Sequence, residues 1–244
     1  MSRRVQLFCA WCGPALIVLS FGGLVIAGFL PVPLFASATP GQVAQYYLEN
    51  PTRIRFGFML AGTGMGLIAP FLALVTVQMI RMESGRLPIL SILQALCAAV
   101  TWIFLFLPLI VLNVAAFRPD RNPEITQALT DLGYLLFFTP VAPFLIQNFA
   151  IGTAILGDRS STPVLPRWAG YANFWAGIAF IPALVAYYFK AGPFSWHGVF
   201  VYYIGFIVYG NWILMMFFVL RRAVLAQAKE EATRERVIPE LSRV

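Results

Sequence analysis

Three ionisable side chains stand where a reaction could use them: Asp131, His197 and Arg118. Asp131 falls near the start of an apolar run, where partial desolvation suits a carboxyl to acid or base work. Arg118 opens the densest charge cluster outside the C-terminal tail, Arg118-Pro119-Asp120-Arg121-Asn122-Pro123-Glu124. His197 is the only histidine, set in Gly192-Pro193-Phe194-Ser195-Trp196-His197-Gly198. A lone imidazole can accept a proton or ligate a haem iron. A protein-only zinc site lacks its remaining ligands, so no metal site is expected. Against these readings stand plain ones: surface ion pairing for the charged cluster and an interfacial loop residue for His197. No Ser-His-acid set assembles from spacing alone.

The remaining intramembrane polarity is neutral, in Gln78, Gln94, Asn113, Gln147, Asn148, Asn173 and Asn211. An amide in hydrocarbon must find a partner. One reading is hydrogen bonding between helices, worth about 0.6 kcal/mol per pair. The other is a cavity in which Gln147, Asn148, Asn173 and Asn211 hold the polar group of a lipophilic ligand. Cys9 and Cys12 have redox spacing, but with Cys97 as the only other cysteine they read as small apolar packing groups. The run Ala61-Gly62-Thr63-Gly64-Met65-Gly66 lies inside an apolar stretch, so Gly62 and Gly66 read as a small-residue step for helix packing, not a phosphate loop. Gly23 with Ala27 offers a similar face.

The elements that must position these groups follow from composition. Of 244 residues, 60% are hydrophobic and 11% charged, with a mean hydropathy of +0.79. A soluble domain is nearer half apolar and a quarter charged. Six apolar runs, about 6–35, 54–80, 87–116, 132–156, 169–189 and 199–220, are each long enough to span a bilayer. The expected fold is all-α: a polytopic six-helix transmembrane bundle over 1–222, with short amphipathic outer-loop helices and a charged tail over 223–244. The net charge of +7 sits mostly at the ends of apolar runs, which speaks for lipid head groups and against nucleic acid. Twelve Lys and Arg fall on the side of the termini and five on the other, so both termini are expected in the cytoplasm, of a bacterial-type inner membrane. Thr39-Pro40-Gly41-Gln42 has the form of a capping box, predicting a short surface helix that ends at Asn50-Pro51. Asn122-Pro123-Glu124 repeats the start signal, for a helix that runs into the fourth span or breaks at Gly133. Pro108, Pro140, Pro143 and Pro182 are expected to kink their spans. Trp196, Tyr187 and Tyr188 are expected in an outer aromatic belt, and Trp11 and Trp168 in an inner one.

No ionisable residue falls near the middle of any run, which argues against proton- or sodium-driven transport. The leading expectation is binding or conversion of a lipophilic small molecule in an intramembrane pocket. The amides would orient it, and Asp131, Arg118 or His197 would carry any proton chemistry. The alternatives are an accessory or structural subunit of a larger membrane complex, and a permease or channel without charged coupling groups. The expected partners are membrane lipids, a lipophilic small molecule, and a homo-oligomer or larger membrane complex. The cofactor is left open, haem being the one that His197 could serve.

Overall fold

The computed structural model describes residues 2–83 and 87–241, the last twelve as backbone only. Six helices are long and apolar enough to cross a membrane: Arg3–Ala27, Pro51–Met82, Ile89–Phe117, Pro123–Gly157, Arg167–Tyr188 and Val199–Lys229. Among the described residues there is no strand, so the chain is an all-α multi-pass membrane bundle. The first and sixth spans run antiparallel. Trp11 meets Phe217 at 4.8 Å between ring centroids, and Phe21 meets Phe206 at 5.5 Å. The N-terminus and the end of the sixth span therefore share one end of the bundle, called here the terminal end. The helix carrying the sixth span continues without a break to Leu241. Arg86 and Arg243, two of the charges counted for orientation, lie outside the described residues.

The first span is shorter than the apolar run that encodes it. It ends at Ala27 because Gly28 adopts φ 79°, a left-handed cap, and Pro31 and Pro33 follow soon after. Residues 28–39 then cross the far end of the bundle as an apolar strap. The capping box forms as expected: Thr39 Oγ1 accepts from Gln42 N–H, and Gln42 Oε1 accepts from Thr39 N–H at 2.8 Å. The helix Pro40–Glu49 buries Val43, Ala44 and Tyr47, while Leu48 faces outward.

Close helix packing uses different glycines from those with the conspicuous spacing. A Cβ on Gly23 would lie 2.5 Å from Ala61 N and 2.6 Å from Gly57 O, and one on Gly57 would strike the Ala27 backbone. Gly23 and Ala27 thus pack directly on Gly57 and Ala61, a small-xxx-small face on each helix. Gly62 and Gly66 do not take part. A Cβ on Gly62 would meet only the Phe106 ring, at 3.4 Å, and Gly66 sits where the second span changes course before Ile68. Gly64 instead admits Ser20, whose hydroxyl donates to Ala61 O at 3.1 Å from the π-helical turn Ile17–Phe21.

The fourth span bends where its prolines lie. The helix runs from Pro123 through Gly133 to Phe138, breaks at Thr139-Pro140, and resumes over Val141–Gly157. Proline offers no N–H to the ladder, so the break falls at Pro140 and not at Gly133. Gly133 is instead a contact point, with Leu112 2.7 Å from where its Cβ would be. In the fifth span Pro182 coincides with a change from the helix Arg167–Ala179 to a 3-10 stretch, Ile181–Tyr188. Pro108, by contrast, lies inside an uninterrupted helix, Ile89–Phe117.

Candidate intramembrane cavity

The bend at Pro140 sets Phe137 and Phe138 on one side of a cavity and Val141 and Phe144 on another. Phe21, Phe180 and Phe206 close it from the first, fifth and sixth spans. It offers about 60 Å³ to the centres of water-sized molecules. That is several times the roughly 10–15 Å³ that one water needs. It is also well short of the roughly 300 Å³ of a pocket enclosing a whole drug-sized ligand. Phe104, Leu105, Phe137 and Pro140 are only half-buried and form its rim, toward the lipid-facing surface.

Two polar atoms stand out on this apolar wall. Thr101 Oγ1 and Tyr209 OH are both buried, both line the cavity, and neither has a hydrogen-bond partner. Leaving such a hydroxyl unsatisfied costs about 1–3 kcal/mol. Similar groups continue toward the terminal end. Gln147 has neither Oε1 nor Nε2 partnered, Asn148 Oδ1 is free, and so is Gln94 Nε2, although Gln94 Oε1 accepts from Thr76 Oγ1 at 2.6 Å. Gln147 and Asn148 lie three and four residues beyond Phe144, on its side of the helix, and Gln94 lies two turns before Thr101. The third and fourth spans pack together. These groups, however, do not share one seam: Phe144 packs on Phe180 and Trp212, Asn148 Cβ lies 3.4 Å from where a Cβ on Gly177 of the fifth span would be, and Gln94 meets Thr76 of the second.

Gln147 and Asn148 do not line the cavity, and neither do the other expected site residues. Asn173 is fully engaged: Nδ2 donates to Ala169 O at 2.7 Å and reaches Met216 Sδ at 3.6 Å, and Trp212 Nε1 donates to Oδ1 at 2.9 Å. It ties the fifth span to the sixth. Asn211 faces outward, with Nδ2 donating to Ile207 O at 2.7 Å. Arg118 is exposed at the end of the third span. Asp131 is half-buried on Pro123–Phe138, within electrostatic reach of Lys190. Neither Asp131, Arg118 nor His197 lines the cavity.

His197 has a structural partner. Its Nδ1 accepts the Ala36 N–H at 3.1 Å, and the Ser195 hydroxyl lies 3.2 Å from the same nitrogen while donating to Gly192 O at 2.8 Å. A nitrogen that accepts is unprotonated, so the ring proton belongs on Nε2. Burial holds the His197 pKa below its usual value. The histidine is one of several ties that pin the strap over the far end. Tyr202 OH donates to Phe29 O, Leu34 N–H donates to Tyr134 OH at 3.2 Å, and Trp196 Nε1 donates to Leu34 O at 3.0 Å. Tyr46 OH donates to Ala27 O at 2.8 Å, and Gln127 Nε2 to Ala38 O at 3.0 Å. Burial pushes the Tyr46 phenol up to about 12 against the opposing charge of Arg53. Trp196 is therefore no belt residue. It is 6% exposed and stacks on Tyr134 at 5.3 Å. Phe29 stacks on Tyr134 from the strap, at 4.7 Å.

Sequence reasoning missed Thr101 and Tyr209. Their signal was a hydroxyl inside an apolar run, weaker than an amide but subject to the same need for a partner. No protein family, curated protein or solved structure matches the chain.

Proposed function

We propose that the protein sits in a bacterial-type plasma membrane, both termini cytoplasmic, and holds the polar head of a lipophilic small molecule in the cavity between its third, fourth and sixth spans. The observation that carries this reading is the pair of unpartnered hydroxyls, Thr101 Oγ1 and Tyr209 OH, on an otherwise apolar aromatic wall. A buried donor without an acceptor is what a carbonyl- or quinone-like oxygen would satisfy. The cavity admits a ring or short head group, and the half-buried rim leaves a tail free to extend into the bilayer. Gln147, one helical turn beyond Phe144, is off the cavity wall but has unmet donor and acceptor capacity on the terminal side of it.

Among the described residues, Tyr209 is the only ionisable side chain on the lining, so the reading is binding, not acid-base conversion. The cytoplasmic placement of the termini rests on the twelve-to-five distribution of Lys and Arg. Native mass spectrometry on protein extracted gently from its membrane tests the proposal. A retained mass of small-molecule size, lost when Thr101→Val and Tyr209→Phe are combined, is the expected result. An added mass composed only of other polypeptides would replace this reading with that of a complex subunit.

A further inference from the structure

A second concavity, unrelated to the lipophile cavity, lies at the terminal end of the bundle. Val219, Ala223 and Ala226 of the sixth helix form its floor, and the 162–166 turn forms one wall. It offers about 410 Å³ to small molecules. Among the described residues, the ionisable side chains that line it are all arginines: Arg81, Arg167 and Arg222. They come from the second, fifth and sixth spans, so the fold and not the chain order brings them together.

Two of the three are held in position. Arg81 Nη1 donates to Gln78 Oε1 at 2.6 Å, and Gln78 Nε2 donates in turn to buried Gln6 Oε1 at 2.9 Å. Arg167 Nη1 reaches Leu156 O at 3.5 Å. Arg167 is also the first residue of a 13-residue helix with no side-chain cap, so its first-turn amides add positive potential at the same wall. Among the described acids, Asp158 feels the charge of Arg81. Its oxygens, however, already accept from Ser160 N–H, Ser160 Oγ and Val164 N–H. It offsets part of the Arg81 charge, while Arg167 and Arg222 are exposed at the groove.

We propose that this groove binds a phosphate-class anion, with guanidinium groups supplying paired N–H donors. Two sources carry that chemistry: the head group of an anionic phospholipid, or a free phosphate-bearing solute. The apolar floor descending along the sixth span suits acyl chains below a bound head group.

The test uses the full chain in detergent. Thermal unfolding is followed with phosphatidylglycerol or phosphatidylcholine added to the micelles, and separately with inorganic phosphate against chloride at equal ionic strength. The variants are Arg167→Gln with Arg222→Gln, and a control of equal charge change, Arg4→Gln with Arg221→Gln. Arg4 and Arg221 are exposed and do not line the groove. Selective affinity for phosphatidylglycerol, weakened about fivefold per groove arginine and roughly twenty-five-fold in the double variant, establishes the lipid source. The same loss seen with inorganic phosphate establishes the soluble source. Equal response to both lipids with no response to phosphate overturns the proposal. So does a control that loses as much as the groove variant, since the charge would then act diffusely.

Discussion

Tyr209→Phe removes one oxygen from the cavity wall and should change stability and binding in opposite directions. In the ligand-free protein the phenol OH has no partner, so its desolvation is uncompensated. Replacing an unpaired buried group by an apolar one of the same shape removes that penalty, about 1–3 kcal/mol. A gain of ~1 kcal/mol corresponds to a Tm increase of roughly 2–4 °C for a chain of this size. With the lipophile bound, the same oxygen makes a hydrogen bond worth ~1 kcal/mol, so the variant should retain ligand about fivefold less well. Thr101→Val predicts the same pair of signs. The assay is a thermal scan of delipidated and ligand-loaded protein beside native mass spectrometry of occupancy. A loss of stability in the delipidated variants would refute the reasoning, because the hydroxyls would then be structural. Unchanged occupancy would refute it equally.

Three further outcomes follow from the packing and the ties. Gly57→Val should destabilise the bundle by about 2 kcal/mol or more, since its Cβ would meet the Ala27 backbone, whereas Gly62→Ala should be nearly neutral; thermal unfolding of the pair checks which glycines bring the helices together. His197, whose pKa is lowered in the folded state, binds fewer protons folded than unfolded, so its contribution to stability is full above pH 6.5 and is lost as pH falls. His197→Asn keeps an acceptor for Ala36 N–H without titrating there, and should flatten that part of a Tm-against-pH profile. Asp158→Ala strips the three bonds that fold the 158–164 turn and should cost about 2 kcal/mol, read as earlier proteolysis or a lower Tm.

How much of this was legible in the sequence depends on which force set each feature. The six spans and the capping box at Thr39 are local: hydropathy and cap chemistry decide them, and the structure follows. Gly28 overrode an unbroken apolar run, because a left-handed residue followed by prolines ends a helix whatever its hydropathy. The amides divided according to helix rotation, which a list of residues does not fix. Asn173 turned inward onto Trp212, Asn211 turned outward, and Gln147 was left buried without partners. The strap was invisible for a similar reason. Its ties join residues up to 173 positions apart, as between Tyr202 and Phe29, and no window along the chain contains both ends.

The strap lies over the far end, so under the proposed function an occupant of the cavity would enter between helices from the bilayer, past the half-buried Phe104 and Phe137. Gly205 gives the means to test occupancy without touching a polar group. It lines the cavity, it lies in a helix with ordinary backbone angles, and a Cβ there would find only Phe180, at 3.9 Å. Gly205→Ala should therefore stabilise by about 0.8–1.0 kcal/mol from helix propensity alone. Gly205→Leu adds an apolar side chain that occupies the space and covers Phe180. It should keep or raise the Tm while excluding the lipophile. Stability and binding then separate: a variant that folds better and binds less identifies the cavity as the site. A Gly205→Leu protein that retains the ligand in full would place the ligand elsewhere, because the head group and the leucine cannot share a space of about 60 Å³.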